Sequence, residues 1–155
     1  MTKLSPHFSL AEMTASDTAR RIGDANQPGP VETAALRTLC EKVLEPVRAH
    51  FGKPVRVNSG YRSPRTNAAV GSAETSQHRR GEAADIEIDG VSNAVLARWI
   101  VDNLAFDQVI LEAHRAGDPN SGWVHVSYRK GRTRRSVLTM TLGSHGAAYA
   151  AGLPA

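Results

Sequence analysis

Three short segments in the second half of the chain alternate apolar and polar residues with a period of two. They are "ADIEI" (Ala84–Ile88), "DQVILE" (Asp107–Glu112) and "WVHVSY" (Trp123–Tyr128). Side chains alternate across a strand, so this pattern predicts strands with one face on a core. Ile86, Ile88, Val109, Leu111, Val124 and Val126 take the core face. Asp85, Glu87, Gln108, Ile110, Glu112, Trp123, His125 and Ser127 then share the opposite face. A sheet of this kind needs an apolar partner, and the first half of the chain supplies one. Leu36, Cys40, Val43, Leu44, Val47 and Phe51 recur at helical spacing, and Pro46 should kink or divide that helix.

The remaining elements follow from local signals. Ser9 with Glu12 three residues on marks the start of a short helix. "DANQPGP" (Asp24–Pro30) reads as a loop. Val55 and Val57 alternate with Arg56 and Asn58, which predicts a strand. Ser63-Pro64 opens a helix, "PRTNAAV", that Gly71 ends. Ser92 opens another, with Val95, Leu96, Trp99 and Ile100 on one face. "SVLTMTL" is the last expected strand. Helices come first and strands mostly later, so the expected class is α+β with a largely antiparallel sheet. No repeat or interior linker divides the 155 residues. The expected organisation is one domain over 1–142, with 143–155 a flexible tail.

Several classes are excluded or disfavoured. The single cysteine, Cys40, rules out an internal disulfide. Its place on an apolar helical stripe predicts a buried, inert thiol. No run of about 18 apolar residues is present, so no membrane span is expected. "MTKLSPHFSLAEM" has no signal-like apolar region, which predicts synthesis in the cytoplasm without a signal peptide. The net charge is +4, with much of the excess in "YRKGRTRR" (Tyr128–Arg135). That cluster reads as a solvated turn, or as a region drawn to a polyanion such as nucleic acid or an anionic cell wall. It lacks interleaved aromatics and any recognition motif, which ranks nucleic acid low as a partner.

The chemistry therefore falls to His, Asp and Glu. "TSQHRRGEAADIEIDG" (Thr75–Gly90) places His78 in a loop that Gly81 lets turn, and Asp85 at the start of a strand. His125 lies in the centre of another strand. Catalytic zinc takes three protein ligands and a water, and imidazole nitrogens with a carboxylate oxygen are suitable donors. His78, Asp85 and His125 make one such set, and a metal there would activate water at neutral pH. The same residues would equally serve as a hydrogen-bonded polar group in a strand and its adjoining turn. With six histidines in the chain, spacing alone does not decide.

"SGYRSP" (Ser59–Pro64), Ser76-x-His78-x-x-Gly81-x-Ala83-x-Asp85, "FDQVILE" and "WVHVSY", in that order, resemble the zinc D-Ala-D-Ala carboxypeptidase family. That family has the hedgehog/DD-peptidase fold, and the chain resembles especially its small phage- and prophage-associated peptidoglycan peptidases. The resemblance runs from about Phe8 to Tyr128. It implies N-terminal helices packed on a largely antiparallel sheet with a zinc cleft. It also implies one Zn2+ ion held by His78, Asp85 and His125. Arg62 would bind a substrate carboxylate or polarise the scissile carbonyl, and Ser76 would lie near the substrate or orient the His78 loop. Gln108, from its place on the predicted site face, would join Arg62 in positioning the substrate.

One departure stands out. Better-known members carry an acidic base three residues before the last histidine, and this chain has Gly122 there. Glu112, at the end of its strand on the site face, is the expected replacement, with His114 and then Asp118 as alternatives. Trp123 and Tyr61 either line the cleft or pack. The loop Ala113–Gly122 would sit over its edge. The implied function is hydrolysis of a peptide bond in the peptidoglycan stem or cross-link, by a carboxypeptidase or an endolysin-like endopeptidase. The enzyme would be a monomer acting after holin-type release or within a phage particle. The alternative is a non-catalytic, zinc-containing module that binds the cell wall or builds a phage structure.

Overall fold

The computed structural model describes residues 2–155. A small hairpin, β1 (Lys3–Ser5) and β2 (Phe8–Ser9), opens the chain and buries Leu4 and Phe8. Helices α1 (Leu10–Thr14) and α2 (Asp17–Ile22) follow. The hydroxyls of Ser9 and Ser16 cap them by accepting the backbone N–H of Glu12 and Ala19, each at 3.1 Å. This satisfies donors that a helix start would otherwise leave unpaired.

Helix α3 (Pro30–Leu39) then runs through a π-helical turn, Cys40–Leu44, into α4 (Glu45–Phe51). The sequence expects Pro46 to interrupt this helix, and the π turn is the form the interruption takes. Pro46 has no N–H for the carbonyl four residues back, and its ring crowds that carbonyl. The ladder loosens just before it, with the Glu45 N–H reaching Cys40 O. The helix continues without breaking, and Leu36, Cys40, Val43, Leu44 and Val47 all remain fully buried. Burial, helped by nearby carboxylates, pushes the Cys40 thiol up to about 12, as expected of an inert packing residue.

The rest of the chain supplies β3 (Arg56–Ser59), α5 (Pro64–Ala69), a 3-10 turn at Gln77–Arg80, β4 (Ala83–Glu87) and α6 (Asn93–Asn103). After these come β5 (Gln108–Glu112), β6 (Trp123–Ser127), β7 (Ser136–Gly143) and β8 (Gly146–Ala151). Six strands form one mixed sheet in the order β3-β4-β6-β5-β7-β8. Only the β5/β7 pair is parallel. The molecule is α+β, as the sequence pattern predicts. Ile86, Val109, Leu111, Val124 and Val126 form one core with Leu36, Val43, Leu44, Leu96 and Ile100. Each such buried aliphatic side chain contributes about 1.5–3 kcal/mol. The register sets Asp85 beside His125, and His125 beside Ile110, across the three central strands.

The tail departs from expectation. Residues 146–151, expected to be flexible, pair with β7 from Leu138↔Ala151 to Gly143↔Gly146. Gly152 is bonded on both sides, its N–H to Val137 O at 2.8 Å and its carbonyl to Thr139 Oγ1 at 2.7 Å. The side chains of this edge strand are exposed, so no apolar alternation marks it in the sequence. Backbone pairing needs no such pattern. Among the described residues, no helix is long and apolar enough to cross a membrane.

Candidate metal centre

His78, Asp85 and His125 converge. Each offers one ligand atom, and the three atoms lie within 4.8 Å of one another. Two come from adjacent strands in direct register, β4 for Asp85 and β6 for His125. The third comes from the 3-10 turn, whose first N–H groups include that of His78, bonded to Ser76 Oγ at 3.3 Å. Gly81 closes the turn at φ +72°, a conformation glycine adopts without strain. Asp85 Oδ1 is 3.1 Å from His125 Nδ1 and 3.4 Å from His78 Nε2.

The outward nitrogens of both rings are committed. His78 Nδ1 lies 2.7 Å from the carbonyl of Gly60, which can only accept. His125 Nε2 lies 3.1 Å from Gln77 Oε1. The amide of Gln77 is oriented in turn, because its Nε2 donates to Asp107 Oδ2 at 2.6 Å. With the outer nitrogen of each ring donating, the neutral form of each imidazole turns the lone pair of its inner nitrogen toward Asp85. Burial works to raise the Asp85 carboxyl, whereas imidazoles that also carry a proton on the inner nitrogen hold it well below the usual carboxylate range through their charge and hydrogen bonds. Three inward electron-pair donors, with hydrogen bonds behind the two rings, fit a divalent metal of the zinc type.

The cleft over this group has a volume of about 700 Å³ and is lined by Arg62, Ser76, Glu112, Trp123, Leu142 and Tyr149, among others. Arg62 is anchored at its backbone N–H and at one end of its guanidinium. Its N–H bonds His78 O at 3.0 Å, and its Nη2 reaches Ser76 Oγ at 3.3 Å and Ser72 Oγ at 3.5 Å. Its buried Nε has no partner among the described residues. Asn26 braces the residues on either side, donating to Tyr61 O at 3.0 Å and accepting from Ser63 N at 2.7 Å. Asp24 accepts from Ser63 and from Thr66, the latter at 2.6 Å. The loop read from "DANQPGP" is thus a strap for the arginine.

Glu112 Oε1 lies 3.9 Å from His125 Nδ1. Burial and then the charge of Asp85 raise its pKa, against the pull of His125 and Arg62. The two alternative bases lie elsewhere. The His114 ring sits beside Ser121, with Nδ1 3.4 Å from Oγ, and Asp118 pairs with Arg115 at 2.9 Å. Gly122 has φ +68°, and a Cβ there would run into the carbonyl of Glu112. The position that bears an acid in better-known members of the family that the chain resembles is sterically closed here. Trp123 lines the cleft, whereas Tyr61 packs in the core.

Gln108 does not reach this cleft. Its amide bonds Ser136 Oγ at 3.2 Å, and it lines a neighbouring cavity. Sequence reasoning missed Gln77 and Asp107, which orient His125. The one available signal was an amide immediately preceding a candidate ligand.

A family model described as peptidase M15 matches residues 6–127. The chain belongs to the peptidase M15 family. The match covers every element that carries His78, Asp85, His125, Arg62 and Glu112. A search of curated proteins returns no match. The β7–β8 hairpin lies beyond the M15 match, yet Met140, Leu142, Ala147 and Tyr149 line the cleft. This M15 chain therefore builds one wall of its cleft from a segment outside the matched region.

Proposed function

We propose that this M15 member is a zinc metallopeptidase that hydrolyses peptide bonds in the stem or cross-link of peptidoglycan, with His78, Asp85 and His125 as the ligands of one zinc ion. The observation that carries the reading is the pair of imidazoles whose outer nitrogens are both spent as donors, leaving three inner atoms with lone pairs around one point. A zinc ion held there supplies Lewis acidity toward a water and the scissile carbonyl.

The chain's own residues do the rest. Glu112, half-buried and beside His125, takes the proton of the attacking water and passes it to the leaving amine. A carboxylate of raised pKa is suited to both halves of that transfer. Arg62, fixed by Ser72 and Ser76, holds a substrate carboxylate or the scissile carbonyl through its guanidinium. Ser76 has two tasks, since it caps the His78 turn and anchors Arg62. On this reading the cell wall is the partner, whether the protein reaches it during lysis or as part of a phage particle.

The test is incubation of the purified protein with peptidoglycan, with and without a chelator, and identification of the products by mass spectrometry. Chelator-sensitive release of D-Ala or of stem fragments supports the peptidase. Stoichiometric zinc binding with no product from any wall preparation would replace it with a binding module.

A further inference from the structure

A second cavity, of about 470 Å³, adjoins the metal cleft and shares Ser72, Ser76 and His125 with it. The basic cluster read from "YRKGRTRR" lines it. Arg129, Arg132 and Arg134 come from that turn, and Arg80 comes from the turn that carries His78. The arginines border one concavity, which a merely solvated turn has no need to form. The Arg132 N–H to Arg129 O bond, at 2.9 Å, closes the turn that presents them.

Two carboxylates oppose these four guanidinium groups, and both are engaged. Asp107, buried at 2% exposure, accepts from Arg134 Nε at 2.6 Å and Nη2 at 3.1 Å, and from Gln77. Glu82 lies 3.5 Å from Arg129 Nε. Arg132 approaches Asp107 only to 4.0 Å. Arg80 makes no ion pair among the described residues. Two positive charges are left in excess around a cavity large enough for a carboxylate-bearing side chain. The metal cleft itself is lined by exposed Leu142 and Tyr149.

We propose that this arginine-lined cavity is a subsite for an anionic group of the substrate, a carboxylate on the peptide to one side of the cleaved bond. The assignment rests on the peptidase reading and adds a direction to it, since a peptide crossing the metal would send its acidic group toward Arg80 and Arg132. Guanidinium forks match carboxylates in two-point geometry. Because these arginines are solvent-exposed, the attraction is screened by salt. A wall phosphate offers similar chemistry and is the competing source.

The experiment follows the arginine Nε–Hε signals of the 15N-labelled, zinc-supplemented protein by NMR. The probes are a short acetylated peptide with a glutamate side chain, its side-chain amide, and inorganic phosphate. The acidic peptide should move the Arg80 and Arg132 signals and bind at least about tenfold more tightly than the amide, with affinity falling as salt rises. An Arg80→Gln/Arg132→Gln double variant should lose that tenfold preference while keeping zinc stoichiometry and melting temperature. Equal binding of the two peptides, or a preference that survives the double variant, would overturn the subsite. Phosphate binding more tightly than the acidic peptide would overturn the peptide carboxylate as its ligand. Hydrolysis is not part of the readout, so a protein that cuts nothing yet separates the two peptides keeps the subsite and loses the peptidase.

Discussion

Gln77 Oε1 accepts the Nε2–H of His125 at 3.1 Å, and that contact decides which nitrogen of the ring faces Asp85. The amide cannot turn around without breaking its 2.6 Å bond to Asp107. A glutamine next in sequence to one proposed ligand therefore sets the tautomer of another. Replacing Gln77 with Ala should lower zinc affinity about 10–100-fold, the range seen when partners behind a metal-bound histidine are removed. Competition against a chromophoric chelator measures this directly. Gln77→Glu, which still accepts from His125 but cannot donate to Asp107, should fall between Ala and the wild type. Unaltered affinity in Gln77→Ala would remove the amide from the site.

Glu112→Gln tests the proton-transfer role. The amide keeps the size of the side chain but cannot take a proton. Turnover should drop about 10²–10⁴-fold with zinc content unchanged. Elemental analysis beside a peptide-release assay separates the two effects, and a fully active variant would return the role to another group.

Gly122→Ala should destabilise the fold without entering the chemistry. The φ of +68° disfavours any side chain, and the added Cβ meets the Glu112 carbonyl. A loss of at least about 1–3 kcal/mol is expected from backbone strain of this kind. Urea denaturation gives the value. A variant as stable as the wild type would show that the β5–β6 connection can yield at this point.

Asp24 gives the strap before Arg62 a pH signature. Hydrogen bonds from Ser63 and then Thr66 hold its carboxyl below the ordinary value of 3.8. The folded chain thus binds this proton less readily than the unfolded chain. Its contribution is fully present above the unfolded pKa and is lost as pH falls through the lower, folded one. Asp24→Asn should therefore be less stable than the wild type at neutral pH, by less than about 1 kcal/mol because solvent screens so exposed a carboxylate. The gap should narrow as pH falls below 3.8 and through the lower, folded pKa. A gap that stays constant with pH would show that the charge contributes nothing.

Much of this arrangement is legible in the sequence because strands alternate. Ile86, Val124 and Val126 fix one face, and Asp85, His125 and Glu112 then have to share the other, as the register confirms. The same rule misplaces Gln108. It lies on the site face, but pairs with Ser127 rather than with His125. Two residues along a strand amount to about 6.6 Å, enough to carry its side chain into the next cavity. Periodicity assigns faces, and distance along the strand assigns neighbours. The part played by Gln77 was hidden for a different reason. The direction of an amide is set by Asp107, thirty residues away in sequence, and no local pattern records it. Edge strand β8 was hidden because its exposed alanines need no alternation to pair.

The hairpin that ends the chain forms the outer edge of the sheet. β8 pairs with β7 alone, and β7 joins the sheet only through β5, while the proposed ligands ride on β4, β6 and the turn before β4. Wall and floor consequently come from different strands. Descent with modification could lengthen, trim or rewrite the surface that greets the incoming peptide while the three side chains beneath it stay where they are.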